Sequence, residues 1–216
     1  MSTCISKDTV CAQCGAKQKL QAWPSATVLQ NPELRKKVLD ETLFNWSCEK
    51  CGYQALVVYP FLYHDTQRRL MIALNPDPDA KRLESLPLVD GLKKRVVRLP
   101  AELKEKILIF EAGLDDAAME LTKLLLVGPL CKKYGTDKLR LYFSRREDNG
   151  LVFAVFTAGK AEPAYESANQ KIYDQCLGIA KEFEFDTTAF AVVDSAFAQR
   201  MLDDYQQMEA EEEPAE

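Results

Sequence analysis

The sequence predicts an α+β fold in two parts, and three observations predict it. Four cysteines stand in two identical frames, Cys11-Ala12-Gln13-Cys14-Gly15 and Cys48-Glu49-Lys50-Cys51-Gly52. The stretch between the frames has a helical apolar period. Beyond residue 92, short alternating apolar runs are interleaved with longer helical ones, without the regular strand–helix alternation of a parallel sheet.

Each cysteine frame has a chemical reading. A two-residue spacer lets both sulfurs of a frame face one centre from a tight turn, and Gly15 and Gly52 permit a positive φ just after the second cysteine. Two such knuckles supply four thiolates, a closed tetrahedral set of the kind that holds structural zinc. The expected ligands are Cys11, Cys14, Cys48 and Cys51, and the expected cofactor is zinc. The long insert between frames is no obstacle. Doubling a loop costs only about 0.6 kcal/mol, whereas structural zinc contributes roughly 10–16 kcal/mol. Two alternatives compete: buried cysteines without metal, and a thioredoxin-type redox pair. The second needs one CxxC opening a helix within a βαβ unit, a setting neither frame has. Cys131 and Cys176 lie in or after apolar helical runs and read as core thiols. Cys4 reads as an ordinary thiol with a secondary claim on the metal.

Between the frames, Asn31 suits an N-cap, Pro32 the first helical position and Glu33 the positive helix end. With Leu34, Val38, Leu39 and Leu43 in helical register, these predict a helix over 32–43. The module is therefore expected to be a zinc ribbon with an inserted helix and short antiparallel strands. After the second frame, 55–59 reads as a strand ended by Pro60, and 69–74 as its partner. Residues 75–90 are rich in Pro and Asp and read as a linker. Next come a short strand at 95–99 and a helix from Pro100 to Phe110, broken by Gly113. A second helix is expected over 115–126 with Met119, Leu121 and Leu125 as its stripe. A hairpin of 139–145 and 151–157 turns around Asp148-Asn149-Gly150. Helices at 165–183 and 195–208 finish the chain. The expected organisation is a ribbon domain over 1–80, a linker over 81–91, an α+β domain over 92–202 and a disordered acidic tail over 203–216.

Composition narrows the function. The chain has 216 residues, a net charge of −5 and 47% apolar residues, a globular and not a disordered profile. Residues 203–216 hold seven acids and no Lys or Arg, which leaves a body of net +2. So balanced a body argues against a dominant DNA-binding surface. No apolar run is long enough to span a membrane. The N-terminus lacks the basic and apolar regions of a secretory signal, so a cytoplasmic location with reduced thiols is expected.

No Gly-rich phosphate loop occurs. Asp116 and Glu120, at i and i+4, offer two carboxylates for metal or acid–base work, but such acids ordinarily mark a solvated helix start. His64 is the lone histidine. It is a candidate general base, yet Asp65 would face the other side of a strand, so the two make no dyad. The clusters Arg35-Lys36-Lys37, Lys93-Lys94-Arg95 and Arg145-Arg146 read as solvated faces.

Two CxxC pairs separated by a predicted helix and followed by Leu62-Tyr63-His64-Asp65 resemble the bacterial CpXC family, named for a Cys-Pro-any-Cys motif. Leu103 to Asp116 is also similar to that family's later region, and the resemblance covers about residues 8–125. It departs at the motif proline, replaced by Ala12 and Glu49, a position that thiolate geometry does not require. The resemblance implies cysteine-bound metal at Cys11, Cys14, Cys48 and Cys51, and no particular reaction.

The expected function is thus a zinc-binding protein without a recognisable catalytic set, its ribbon serving a protein partner, with nucleic acid a weaker candidate and no membrane role. The alternatives are an enzyme using His64 and Asp65, with Asp116 or Glu120, and a thiol redox sensor that releases zinc.

Overall fold

A computed structural model describes residues 3–77, 91–183 and 189–212. These divide into two compact units: one holds the chain up to Lys104 together with residues 189–191, and the other holds residues 105–183 and 192–212. The architecture is α+β, as the sequence predicts.

The first unit opens with a hairpin of β1 (Ile5–Val10) and β2 (Lys17–Ala22), paired from Ile5↔Ala22 to Val10↔Lys17. A short β3 (Ser25–Thr27) leads to α1 (Pro32–Leu39). The helix buries Leu34 and Val38 and ends earlier than the expected residue 43. The cause is local. Glu41 takes φ 59°, which stops the helix, while Leu43 and Phe44 still turn into the core. Asn31 occupies the N-cap position without a side-chain cap bond; its amide donates instead to the Glu33 carboxylate at 3.5 Å.

A second hairpin, β4 (Asn45–Ser47) and β5 (Gln54–Leu56), follows. The expected strand over 55–59 is shorter than predicted and has a different partner. Beyond β5, Val57 N–H donates to the Phe44 carbonyl. Residues 70–74 (β7, Leu70–Leu74) pair instead with β6 (Phe61–Asp65), from Phe61↔Leu74 to Asp65↔Leu70. The polar His64 and Asp65 disguised β6, which nevertheless alternates, with Phe61, Tyr63 and Asp65 buried. β8 (Lys93–Val97) lies parallel to β7 and completes a sheet of order β3-β6-β7-β8. The expected linker at 81–91 lies outside the described residues apart from Gly91.

α2 (Pro100–Glu111) starts where the Glu102 carboxylate reaches back to accept the N–H groups of Arg98 and Leu99 at 2.8 and 3.1 Å, the glutamate half of a capping box. Gly113, at φ 70°, turns the chain. Asp115 then caps α3 (Asp116–Tyr134) by accepting from Ala117 and Ala118 N–H. This helix runs past the expected end at 126 and carries Pro129 inside it before stopping at Gly135, φ 62°. Leu125, expected in the apolar stripe, is 47% exposed, whereas Met119 and Leu121 are buried.

β9 (Leu139–Glu147) and β10 (Gly150–Thr157) form the predicted hairpin. The segment expected to open a helix at 165 begins as a third strand, β11 (Ala164–Asn169), which pairs antiparallel with β10. Gly150 is required here: a Cβ on it would meet the Ala168 carbonyl oxygen at 2.2 Å. Asn169 then caps α4 (Gln170–Lys181). α5 (Ser195–Glu212) carries the helix through the acidic residues from Asp203 onward. The core of this unit gathers Met119 and Leu121 of α3, Phe143, Leu151, Phe153 and Val155 of the sheet, Cys176 of α4, and Ala198 and Met201 of α5. Among the described residues no helix is long and apolar enough to cross a membrane.

Candidate metal centre

The two cysteine frames form the tips of the two hairpins and close in the same way. In the first, Gly15 N–H donates to the Cys11 carbonyl at 2.9 Å, with Gly15 at φ 68°. In the second, Gly52 N–H donates to the Cys48 carbonyl at 2.8 Å, with Gly52 at φ 73°. One residue further on, Cys11 N–H reaches Ala16 O and Cys48 N–H reaches Tyr53 O, at 2.9 and 2.8 Å. A positive φ after the second cysteine is what each turn needs, and glycine supplies it without strain.

The tips face each other. Cys11 Sγ lies 3.7 Å from Cys51 Sγ, and Cys14 Sγ lies 3.6 Å from Cys48 Sγ. All four sulfurs lie within 4.8 Å of one another. A tetrahedron with metal–sulfur bonds of about 2.3 Å has edges of about 3.8 Å, so the spacing suits a single ion. Cys11 and Cys48 are buried, Cys14 is half-buried and Cys51 is exposed.

The thiols also interact electrostatically. Burial opposes ionisation of Cys11, but the N–H groups of Cys14 and Gln13 together with the neighbouring Cys48 and Cys14 thiols outweigh it and bring the thiol down to about 7. At Cys51 the Tyr53 N–H favours the thiolate, yet loss of water and the three neighbouring sulfurs push it up to about 12. Four sulfurs this close resist full ionisation unless a cation sits among them.

Hydrophobic burial contributes little here. Across the two hairpins, the buried apolar side chains among the described residues are Cys11, Ala22 and Cys48. Isolated two-stranded hairpins are marginal in water. One polar side chain ties them together, and the sequence carried no signal for it. The Gln18 amide donates to Ser47 O and accepts Glu49 N–H, both at 3.1 Å, so it bridges β2 to the second knuckle.

A family model described as CpXC protein matches residues 9–123. The chain belongs to the CpXC family. No curated protein and no solved structure matches it. This CpXC chain has Ala12 and Glu49 at the motif proline positions, and both knuckles still close through the glycine N–H bonds given above. The matched region ends inside α3, so it takes in α2 as well as the two knuckles.

The other candidates fall elsewhere. His64 and Asp65 are neighbours on β6 with opposite facings, as expected. Asp65 is 1% exposed and committed to its own turn, accepting from Gln67 N, Arg68 N and Arg68 Nη1 at 2.8–3.1 Å. Cys4 Sγ lies 3.1 Å from the Gln21 amide oxygen. Cys176 is buried, and burial pushes its thiol up. Cys131 is half-buried on α3.

Two expectations of solvated faces are corrected. Lys94 and Arg95 are buried on β8, at 1% and 7% exposure. Asp116 and Glu120 are also buried, at 0% and 4%, because lysines meet them. Lys106 of α2 contacts Asp116 at 3.1 Å and Glu120 at 3.2 Å. Lys123 contacts Glu120 at 3.0 Å and Glu105 at 2.9 Å. Glu105 in turn accepts the Phe143 N–H of β9 at 2.6 Å. Burial pushes the Glu105 carboxyl up against the pull of Lys123. These carboxylates are engaged by lysines and a backbone amide, so they form a structural chain of alternating charge. Arg145 and Arg146 are exposed as expected.

Proposed function

We propose that Cys11, Cys14, Cys48 and Cys51 bind one zinc ion, and that the zinc-held hairpins serve as a protein-interaction module. The four-sulfur cluster carries the first half of the reading. Thiolates at tetrahedral spacing favour zinc over the hard cations that take oxygen ligands. Four protein ligands leave no open position for substrate, so the ion's role is structural. It supplies the cohesion that so few buried apolar side chains do not, and the count of zinc per chain tests it.

The second half rests on the surface around the knuckles. Val10, just before Cys11, and Leu56, at the end of β5, are 59% and 61% exposed. An exposed apolar side chain beside one knuckle, Val10, and another at the open end of the second hairpin, Leu56 opposite Asn45, suit a protein partner better than a phosphate backbone. Titration with single-stranded and duplex nucleic acid at low salt is expected to show no binding. Binding that weakens steeply with salt would transfer the role to nucleic acid.

A further inference from the structure

We propose, on the zinc reading given above, that Gln18 is a positioning residue of the metal centre. Its side-chain amide holds the backbone on both sides of Cys48 and so keeps that thiolate on the ion.

Gln18 Nε2 donates to Ser47 O, and Gln18 Oε1 accepts Glu49 N–H, both at 3.1 Å. Ser47 and Glu49 flank Cys48. In a parallel ladder a residue bonds in this way, through its own N–H and C=O, to the two neighbours of the residue opposite. A carboxamide carries the same donor and acceptor. Gln18 therefore pairs with Cys48 as a strand residue would, but through its side chain. The knuckle itself uses the two groups in between: Cys48 N–H donates to Tyr53 O, and Cys48 O accepts Gly52 N–H, both at 2.8 Å. The four successive backbone groups from Ser47 O to Glu49 N–H are thus all bonded, and the direction of the Cys48 side chain is fixed.

The grip is specific to this cysteine. Among the described residues, the hydrogen bonds that cross between the two hairpins without a sulfur are those of Gln18. The first knuckle has no counterpart: among the described residues, no hydrogen bond is made by Ala12 N–H, the group equivalent to Glu49 N–H. Glu49 also stands at the motif proline position. A proline there would have no N–H to give Gln18 and would stiffen the turn through its own ring. With Glu49 in that place, the second knuckle has the donor that Gln18 needs, and two hydrogen bonds do the stiffening.

The test measures how tightly the zinc-loaded full chain holds its metal against a competing chelator. Gln18→Met keeps the length of the side chain and removes both donor and acceptor. This variant should still load one zinc, held about ten- to a hundred-fold more weakly, the range typical of partners just outside the ligand shell. Gln21→Met makes the same change on the same strand, where the side chain meets Ser6 and Cys4 of the first hairpin, and should match the wild type. In a Glu49→Pro background the further cost of Gln18→Met should shrink, which a general loosening of β2 would not produce. A Gln18→Met chain that holds zinc as tightly as the Gln21→Met chain overturns the proposal. So does a Gln18→Met cost undiminished by Glu49→Pro. A wild type that loads no zinc refutes the zinc reading itself, and the proposal with it.

Discussion

Replacing Cys48 with Ser is expected to abolish metal binding and melt the knuckle hairpins, while the unit from Glu105 onward keeps its own unfolding transition. Cys48 is 2% exposed and its sulfur lies 3.6 Å from that of Cys14. Loss of one thiolate opens the tetrahedron and leaves three sulfurs crowded without full neutralisation. Structural zinc is worth roughly 10–16 kcal/mol, against about 1.5–3 kcal/mol for a fully buried large aliphatic side chain. The hairpins bury no such side chain, so nothing offsets the loss. Cys131→Ser is the matched control. Its sulfur sits on α3 and belongs to no cysteine cluster, so metal content and the knuckle signals should not change. Backbone amide spectra of the two variants, read beside metal content, check the expectation. A Cys48→Ser chain that keeps both metal and dispersed knuckle resonances would refute it.

The second large effect belongs to Lys123. Its ammonium lies 3.0 and 2.9 Å from the two Glu105 oxygens and 3.0 Å from Glu120. Burial alone would lower its proton affinity, but the Glu105 and Glu120 carboxylates more than reverse this and hold the ammonium charged. Lys123→Met keeps much of the side-chain volume and removes the charge. Two buried carboxylates then lose a cation, and one-sided removal of a buried pair typically costs about 3–5 kcal/mol. Denaturant unfolding of the C-terminal unit should show a loss of that order. Adding Glu105→Gln should recover part of it, because the amide oxygen still accepts Phe143 N–H and one unpaired charge is gone. If Lys123→Met alone changes stability by less than about 1 kcal/mol, the network behaves like a surface ion pair and the buried reading fails.

The four-cysteine cluster was legible in the sequence because its information is local. Two cysteines and a glycine at fixed spacing define each turn, and each turn closes by bonds within itself. The meeting of the turns was predictable only through shared chemistry, since a four-thiolate site needs both. Gln18 was not legible, because its partners Ser47 and Glu49 are distant in sequence and nothing marks glutamine as a bridge.

The errors in the fold have a common origin in long-range contacts overriding local pattern. β6 contains His64 and Asp65, so its polarity hid a central strand whose buried Asp65 is satisfied by a turn. Asp116 and Glu120 have the spacing of a solvated helix start, and the approach of Lys106 from α2, with Lys123 beside Glu120, offsets the cost of their burial. β11 has a sequence that passes for the beginning of α4; pairing with β10 decides it. Helix ends erred in both directions. α1 stopped early because Glu41 adopts a left-handed conformation, and α3 continued through Gly128 and Pro129, which ordinarily signal a stop.

The most direct measurement is the metal content of the intact chain purified without chelators, by native mass spectrometry with parallel thiol labelling. One zinc per chain is predicted, with Cys11, Cys14, Cys48 and Cys51 protected until a chelator strips the ion. A metal-free chain whose four knuckle thiols react at once while the hairpins stay folded would contradict the account.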